Sequence, residues 1–223
     1  METIDRIPWE PDPEAVARRL RFDPGRAGGL AFDALLDEAR SLVALRAVTD
    51  VSYIGAKGED TVEVAGVVFR SRVLRRNLDR AQKVFPYVMT AGPALEAAAV
   101  TCGDLLKQYY LEELGNMALE SGAAWLAERL KARWGLPGLS SQDPGSLEDW
   151  PLEEQPKLFS IFGDTERLIG VRLTASLLMV PRKSISGIFF PGEEDFTSCQ
   201  LCDRGSCPGR KAAYDERRAA EFK

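Results

Sequence analysis

Apolar residues recur with helical spacing in several stretches of the chain. One stripe of leucine, alanine and valine runs through residues 30–46 and predicts a helix there. Another follows Asp12 and Pro13, and because aspartate is a common N-cap and proline favours the first turn, a helix is expected to begin at that point. The longest helical pattern covers residues 103–134. Gly115 and Gly122 interrupt it at about 1 kcal/mol each relative to alanine, so close packing against a sheet is their expected role.

Short β-type runs lie between and after these helices. Residues 48–54, 61–64, 67–69 and 85–90 are predicted strands, with turns at 55–58 and 65–66. Residues 170–176 alternate in β fashion, and residues 185–190 are expected to be their partner strand across Pro181. A loop rich in proline, glycine and serine, residues 135–151, precedes a predicted short helix at 152–162. Strands and helices therefore share the chain, which indicates an α+β fold.

Composition and charge restrict the class of protein. The 223 residues are 45% hydrophobic and 28% charged, enough for a substantial core in one large domain or two small ones. A net charge of −5 and a pI near 5.1 give no reason to expect a nucleic-acid partner. The N-terminal residues lack the pattern of a signal peptide, and no apolar run approaches the ~20 residues of a membrane helix. We therefore expect a cytoplasmic protein that binds neither nucleic acid nor membrane.

The sequence contains no histidine. Serine–histidine and cysteine–histidine catalysis are thereby excluded, as are HExxH zinc chemistry and zinc sites of mixed cysteine and histidine ligation.

A long gapped motif lies in the C-terminal half. Residues 173–187 read Leu-Thr-x-Ser-x-x-Met-x-Pro-x-x-Ser-x-Ser-Gly, and residues 149–155 read Asp-Trp-Pro-Leu-x-x-Gln shortly after a Pro-Gly pair. In these residues the chain resembles the activation domain of cobalamin-dependent methionine synthase and its free-standing relatives. The long helix and the Thr90-Ala91-Gly92-Pro93 turn fit the same family. The resemblance covers residues 45–190.

The resemblance implies a fold and a role. The fold is a helix-flanked, mainly antiparallel sheet that binds S-adenosylmethionine. In the methionine synthases this domain presents the methyl donor to a cobalamin whose cobalt has been oxidised, and an electron donor completes the remethylation. Because this chain has no histidine to offer as lower ligand, the cobalamin would be carried by a partner.

The resemblance also implies a donor site at Glu120, Pro144, Gly145 and Ser146. The family loop reads Arg-Pro-Ala-Pro-Gly-Tyr where this chain has residues 141–146, so its arginine is replaced by Ser141 and its tyrosine by Ser146. Loss of a charge-assisted pair, typically ~1.5–3 kcal/mol, would weaken the binding of S-adenosylmethionine. Pro144 and Gly145 are retained, and Glu120 on the long helix is a candidate partner for the positive groups of the donor.

Three cysteines fall within nine residues near the C-terminus: Cys199, Cys202 and Cys207. Glycine allows the backbone between them to turn, and Arg204, Arg210 and Lys211 would favour thiolates. We expect a metal site here, an iron–sulfur cluster or zinc, with Cys102 as the candidate fourth ligand. A buried, non-ligating Cys102 is the alternative for that residue, and a redox disulfide between Cys199 and Cys202 is the alternative for the segment.

Together these features predict a methionine synthase activation-like domain at residues 1–197 and a cysteine-rich tail at 198–223. The predicted function is that of a stand-alone accessory protein for reductive reactivation of a corrinoid methyltransferase partner, with S-adenosylmethionine and an electron donor protein. The alternative is a non-catalytic docking module that has lost S-adenosylmethionine and carries a structural zinc in its tail.

Overall fold

The computed structural model describes residues 1–25, 30–192, 196–207 and 209–222. Ten strands and eight helices are found in these ranges. In chain order they are β1 (Glu2–Ile4), α1 (Pro13–Leu20), α2 (Phe32–Leu42), β2 (Arg46–Thr49), β3 (Ser52–Lys57), β4 (Thr61–Val64), β5 (Val67–Arg70), α3 (Arg72–Asn77), β6 (Lys83–Thr90), α4 (Ala94–Thr101), α5 (Leu105–Trp134), β7 (Ser140–Gln142), α6 (Gln155–Ser160), α7 (Thr165–Ile169), β8 (Arg172–Leu173), β9 (Met179–Val180), β10 (Ser184–Phe190) and α8 (Glu216–Ala220).

Strand β6 is the centre of an antiparallel sheet. One of its edges pairs with β2 and then with β3, and its other edge pairs with β10 over six register positions. The sheet continues from β2 to β1, from β3 through β4 to β5, and from β10 to β7. The expected α+β fold with a mainly antiparallel, helix-flanked sheet is thus confirmed.

Two helices begin or end for reasons that the sequence supplies. Asp12 Oδ1 accepts the Glu14 N–H at 3.1 Å and caps α1, as predicted. Helix α5 spans 30 residues, starts after the Asp104 cap and ends at Gly135 with φ at 60°. The second predicted helix is shorter than expected, because Arg46 already belongs to β2.

The two α5 glycines lie where the helix packs closely on its neighbours. A Cβ at Gly122 would come within 2.8 Å of Met89 Sδ on β6, and one at Gly115 within 3.1 Å of Leu95 on α4. Close packing against the sheet is confirmed for Gly122, whereas Gly115 packs against α4 and the Lys183 side chain. The opposite face of the sheet, at Val88, is covered by aromatic and aliphatic side chains from the α6 and α7 region.

Residues 48–54 form two strands instead of the single predicted one. Pro86 in β6 has no N–H to donate, so the ladder changes partner there. The Pro86 carbonyl instead accepts the Asp50 N–H at 3.2 Å and the Thr49 hydroxyl at 2.9 Å. Strand β6 therefore pairs with β3 before Pro86 and with β2 after it.

The predicted pairing of residues 170–176 with 185–190 is wrong. The chain reverses at residues 174–178, where Leu177 adopts φ of 65° and donates its N–H to the Thr174 carbonyl. Strand β8 therefore pairs with β9 in a two-stranded hairpin, which leaves β10 free to join β6 and β7.

The tail packs on the rest of the fold. Leu201 and Phe222 pack against the apolar cluster that contains Phe69, Trp150 and Phe190. The proposed boundary at residue 197 remains a prediction. Within the described ranges, no helix combines the length and apolarity needed to cross a bilayer.

Candidate functional site

The Pro-Gly turn after β7 is closed by its own hydrogen bonds. Gly145, with φ at 83°, donates its N–H to the Trp150 carbonyl at 2.7 Å. The N–H and hydroxyl of Ser146 both donate to the Asp143 carbonyl, at 3.2 and 2.6 Å. Pro144 is buried, whereas Gly145 and Ser146 are exposed. The N–H groups of Gly145 and Ser146 are thus used inside the turn, while both residues remain exposed to solvent.

Two side chains fix this turn to the fold. The Trp150 ring is fully buried and meets Phe69 edge-on, with centroids 5.8 Å apart. The Asp149 carboxylate accepts the Ser71 hydroxyl and, at 2.9 Å, the Val73 N–H at the start of α3. These contacts anchor the turn on β5 and on the start of α3.

The Asp143 side chain packs directly against Gly187, where a larger residue would clash with it. Tyr87 on β6 is the register partner of Gly187 on β10, and a Cβ at Gly187 would collide with Asp143 Oδ1. The Tyr87 hydroxyl donates to Asp143 Oδ1 at 3.3 Å. Burial raises the pKa of Asp143 to about 6, although Lys211 and the Tyr87 hydroxyl act in the opposite direction. The same burial, with the Asp143 charge, raises the pKa of Tyr87 well above its ordinary value.

The tail lies against this turn. The hydroxyls of Ser146 and Ser198 are 3.0 Å apart, and the Phe196 N–H donates to Ser140 Oγ on β7 at 2.8 Å. The proline-glycine turn and the cysteine segment, which are 50 residues apart in sequence, therefore meet at one surface.

Arg210 organises the cysteine segment. Its guanidinium donates to the carbonyls of Cys199 and Cys202, both at 3.1 Å, and of Ala212 at 3.2 Å. Its backbone N–H donates to the Cys207 carbonyl at 3.1 Å. One side chain thus ties together the backbone of residues 199–212.

The Cys199 thiol has donors directed at it. The Lys211 N–H lies 3.4 Å from Cys199 Sγ. Partial burial raises the pKa of Cys199, but the Lys211 and Ala212 N–H groups, the Thr197 side chain and the Arg210 charge outweigh it, and the net effect lowers the pKa. Cys202 donates its N–H to the Cys199 carbonyl at 3.4 Å, which closes a tight turn between the two cysteines.

The predicted four-cysteine shell is not assembled. Among the described residues, which include all four cysteines, no three cysteine, aspartate or glutamate side chains lie where they could hold one metal ion. Cys102 lies between α4 and α5, and its thiol lies 3.3 Å from the carbonyls of Ala99 and Asp104. The arrangement therefore does not fit the expected iron–sulfur or zinc centre, and we derive no step through one.

Glu120 contacts helix α1, whereas the proline-glycine turn follows β7. Its carboxylate pairs with Arg19 of α1 at 3.5 Å on the exposed side of α5. The structure thus brings Pro144, Gly145 and Ser146 into one turn and places Glu120 at the contact between α1 and α5. Its proposed role at a ligand remains a prediction.

Known proteins match this chain in structure. No protein-family model matches the sequence, and no curated protein is significantly similar to it. A crystal structure of the MetH reactivation domain bound to AdoHcy matches with a TM-score of 0.55 at 17% sequence identity, over 81% of this chain and 71% of that chain.

The fold is that of the MetH reactivation domain. The resemblance found in residues 45–190 is thereby confirmed at the level of fold. The sequence reasoning missed two residues beside the turn, Tyr87 and Asp143, and it expected Arg210 only as a positive charge near the thiols. Gly187, a glycine in the interior of a strand, is the signal that could have indicated the close approach of Asp143. No comparable signal pointed to the hydrogen bonds of Arg210, because their acceptors are backbone carbonyls.

Proposed function

We propose that this chain binds an S-adenosyl ligand at the Pro144-Gly145-Ser146 turn and presents it to a corrinoid-carrying methyltransferase partner. The observation that carries the proposal is the fold of the MetH reactivation domain, a domain solved with AdoHcy, combined with a fixed, solvent-facing turn at its Pro-Gly motif. The partner's corrinoid would be reactivated with an electron from a separate donor protein.

The chemistry of the turn suits a cationic ligand. The N–H groups of Gly145 and Ser146 are used internally, which leaves the Ser146 hydroxyl oxygen and the nearby Asp143 carboxylate as acceptors. S-adenosylmethionine carries a sulfonium and an ammonium group, and both are attracted by such acceptors. Asp143 is thereby added to the residues that the sequence proposed.

The residues of this chain would bind and orient the ligand. Methyl transfer from a sulfonium to a reduced cobalt needs no general acid or base, so positioning is the main contribution of the protein. The absence of histidine is consistent with a division of labour in which the partner supplies the corrinoid and its lower ligand.

The proposed activity can be tested by following methylcobalamin. The full chain is mixed anaerobically with S-adenosylmethionine, a low-potential reductant and the cobalamin-binding domain of a methionine synthase in the cob(II)alamin state. Visible absorption should report methylcobalamin forming faster with the chain than without it. An unchanged rate at saturating chain would reject the reactivation role for this class of partner.

A second function is favoured by Ser141 and Ser146, which replace an arginine and a tyrosine of the family loop. In that case the chain docks on a corrinoid protein without an S-adenosyl ligand. Stable co-elution of the chain with the cobalamin-binding domain, together with no binding of S-adenosylmethionine, would support this second function over the first.

A further inference from the structure

The cysteine segment has no role in the function proposed above, and its geometry does not fit a metal cluster. The Arg210 guanidinium donates hydrogen bonds to the backbone carbonyls of Cys199 and Cys202. A side chain of the protein therefore holds the cysteine loop closed. All four thiols are free, and each is only partly buried. A role for the segment must therefore come from the thiols.

Cys199 and Cys202 lie at the two ends of one tight turn. The hydrogen bond from the Cys202 N–H to the Cys199 carbonyl defines that turn. A turn of this kind holds its end Cα atoms within about 7 Å, and a disulfide spans Cα separations of about 4.4–6.8 Å. The backbone is consequently positioned to form a disulfide with little movement.

The two thiols have different surroundings. Cys199 Sγ accepts the Lys211 N–H at 3.4 Å, beneath the positive charge of Arg210. Donors of this kind stabilise a thiolate, which is the nucleophile in exchange with a disulfide. Cys202 is joined to Cys199 through its backbone N–H, which places it as the resolving thiol of the pair.

We propose that Cys199 and Cys202 form a redox-active dithiol pair that exchanges with small-molecule disulfides, with Cys199 as the attacking thiol. The Cys199 thiolate attacks one sulfur of the external disulfide, forms a mixed disulfide and releases the other half as a thiolate. Cys202, after losing its proton to solvent, attacks Cys199 Sγ and releases the second half. Two protein thiols are thus oxidised while one external disulfide is reduced to two thiols.

The test uses the full chain, purified without oxygen and equilibrated with mixtures of reduced and oxidised glutathione. Free thiols are trapped by alkylation and mapped by mass spectrometry. The wild type should form a disulfide between Cys199 and Cys202. The C202S variant should accumulate a glutathione adduct on Cys199, whereas the C199S variant should acquire adducts several-fold more slowly.

The matched control is C207S, which removes the third thiol of the segment and should leave the Cys199–Cys202 disulfide unchanged. Circular dichroism of each variant verifies that the fold is retained. The proposal is overturned if Cys207 is a partner in the main disulfide, or if Cys199 reacts no faster than Cys202. It is equally overturned if the anaerobically purified chain contains stoichiometric zinc or iron that protects the thiols from alkylation.

Discussion

At the scale of single residues, Asp143 sets the character of the proposed site. A carboxylate lies over Gly187 and beside Tyr87, in a loop whose family counterpart carries an arginine two positions earlier. Ser141 brings no cation and Asp143 adds a carboxylate, so the site is less positive than the methionine synthase loop, although Lys211 lies close enough to act on Asp143. We therefore expect this site to favour the positive groups of its ligand over a ligand carboxylate.

Replacement of Asp143 by asparagine should stabilise the protein above pH 6. Because burial raises the Asp143 pKa from 3.8 to about 6, the folded state binds the proton more tightly than the unfolded chain does. The wild type therefore loses stability as pH rises through that range, while D143N does not. Urea unfolding should find D143N more stable by about 2–3 kcal/mol at pH 8, with the difference vanishing near pH 4.

The control for this prediction is D203N, which changes an exposed aspartate of the tail. Its effect on the free energy of unfolding should be small at both pH values. A D143N variant that is no more stable than the wild type at pH 8 would show that the buried charge carries no such cost.

Introducing at position 141 the arginine that the methionine synthase loop carries should strengthen binding of the ligand's carboxylate. The S141R variant places a guanidinium on β7, two residues before Asp143. Gain of one charge-assisted pair predicts a decrease in Kd of about tenfold, equivalent to about 1.4 kcal/mol. Calorimetric titration with S-adenosylhomocysteine measures it. S41R, which adds the same charge on α2, should leave Kd unchanged, and an equal gain in both variants would assign the effect to net charge alone.

At the scale of elements, two segments matter for function: the Pro144-Gly145-Ser146 turn and the loop of residues 199–212. The turn is fixed by a buried Trp150 and by Asp149 at the start of α3. The loop of residues 199–212 depends on a single guanidinium. We therefore expect the two to respond differently to substitution.

The R210K variant should loosen the cysteine segment without unfolding the domain. Lysine keeps the charge but lacks the planar fork that reaches several carbonyls at once. Hydrogen–deuterium exchange should become faster in residues 199–212 and stay unchanged in β6 and α5. Unchanged exchange throughout residues 199–212 would contradict the organising role of Arg210.

The elements also show what a sequence can predict here. Helix α5 and the close packing at its glycines were predictable, because a long apolar periodicity and a glycine inside it are both local features of the sequence. The pairing of β10 with β6 was not, because strand alternation fixes the face of a residue and leaves its partner open. The reversal at Leu177 removed the obvious partner, and no proline or glycine marks that residue.

At the scale of the whole molecule, the sequence resemblance predicted the fold and pointed to the proline-glycine turn, whereas the contacts of Tyr87, Asp143 and Arg210 were not predicted. The match to the MetH reactivation domain at 17% identity confirms the fold and leaves the ligand to be established. The cysteine spacing predicted a metal, but the three-dimensional positions of Cys102 and the tail thiols do not support a common centre. The spacing of cysteines limits how far apart the thiols can lie. It does not predict the hydrogen bonds from Arg210 to the backbone carbonyls of residues 199, 202 and 212.

The measurement that tests the central claim most directly is calorimetric titration of the full chain with S-adenosylmethionine. The account predicts one site per chain with Kd below about 1 mM, at least about 4 kcal/mol of binding free energy. The G145V variant should lose that binding while keeping its circular dichroism spectrum, because valine is strained at φ of 83° and would press on Leu152. Absence of heat for the wild type at millimolar ligand, or equal binding by G145V, would contradict a donor site at the Pro144-Gly145-Ser146 turn.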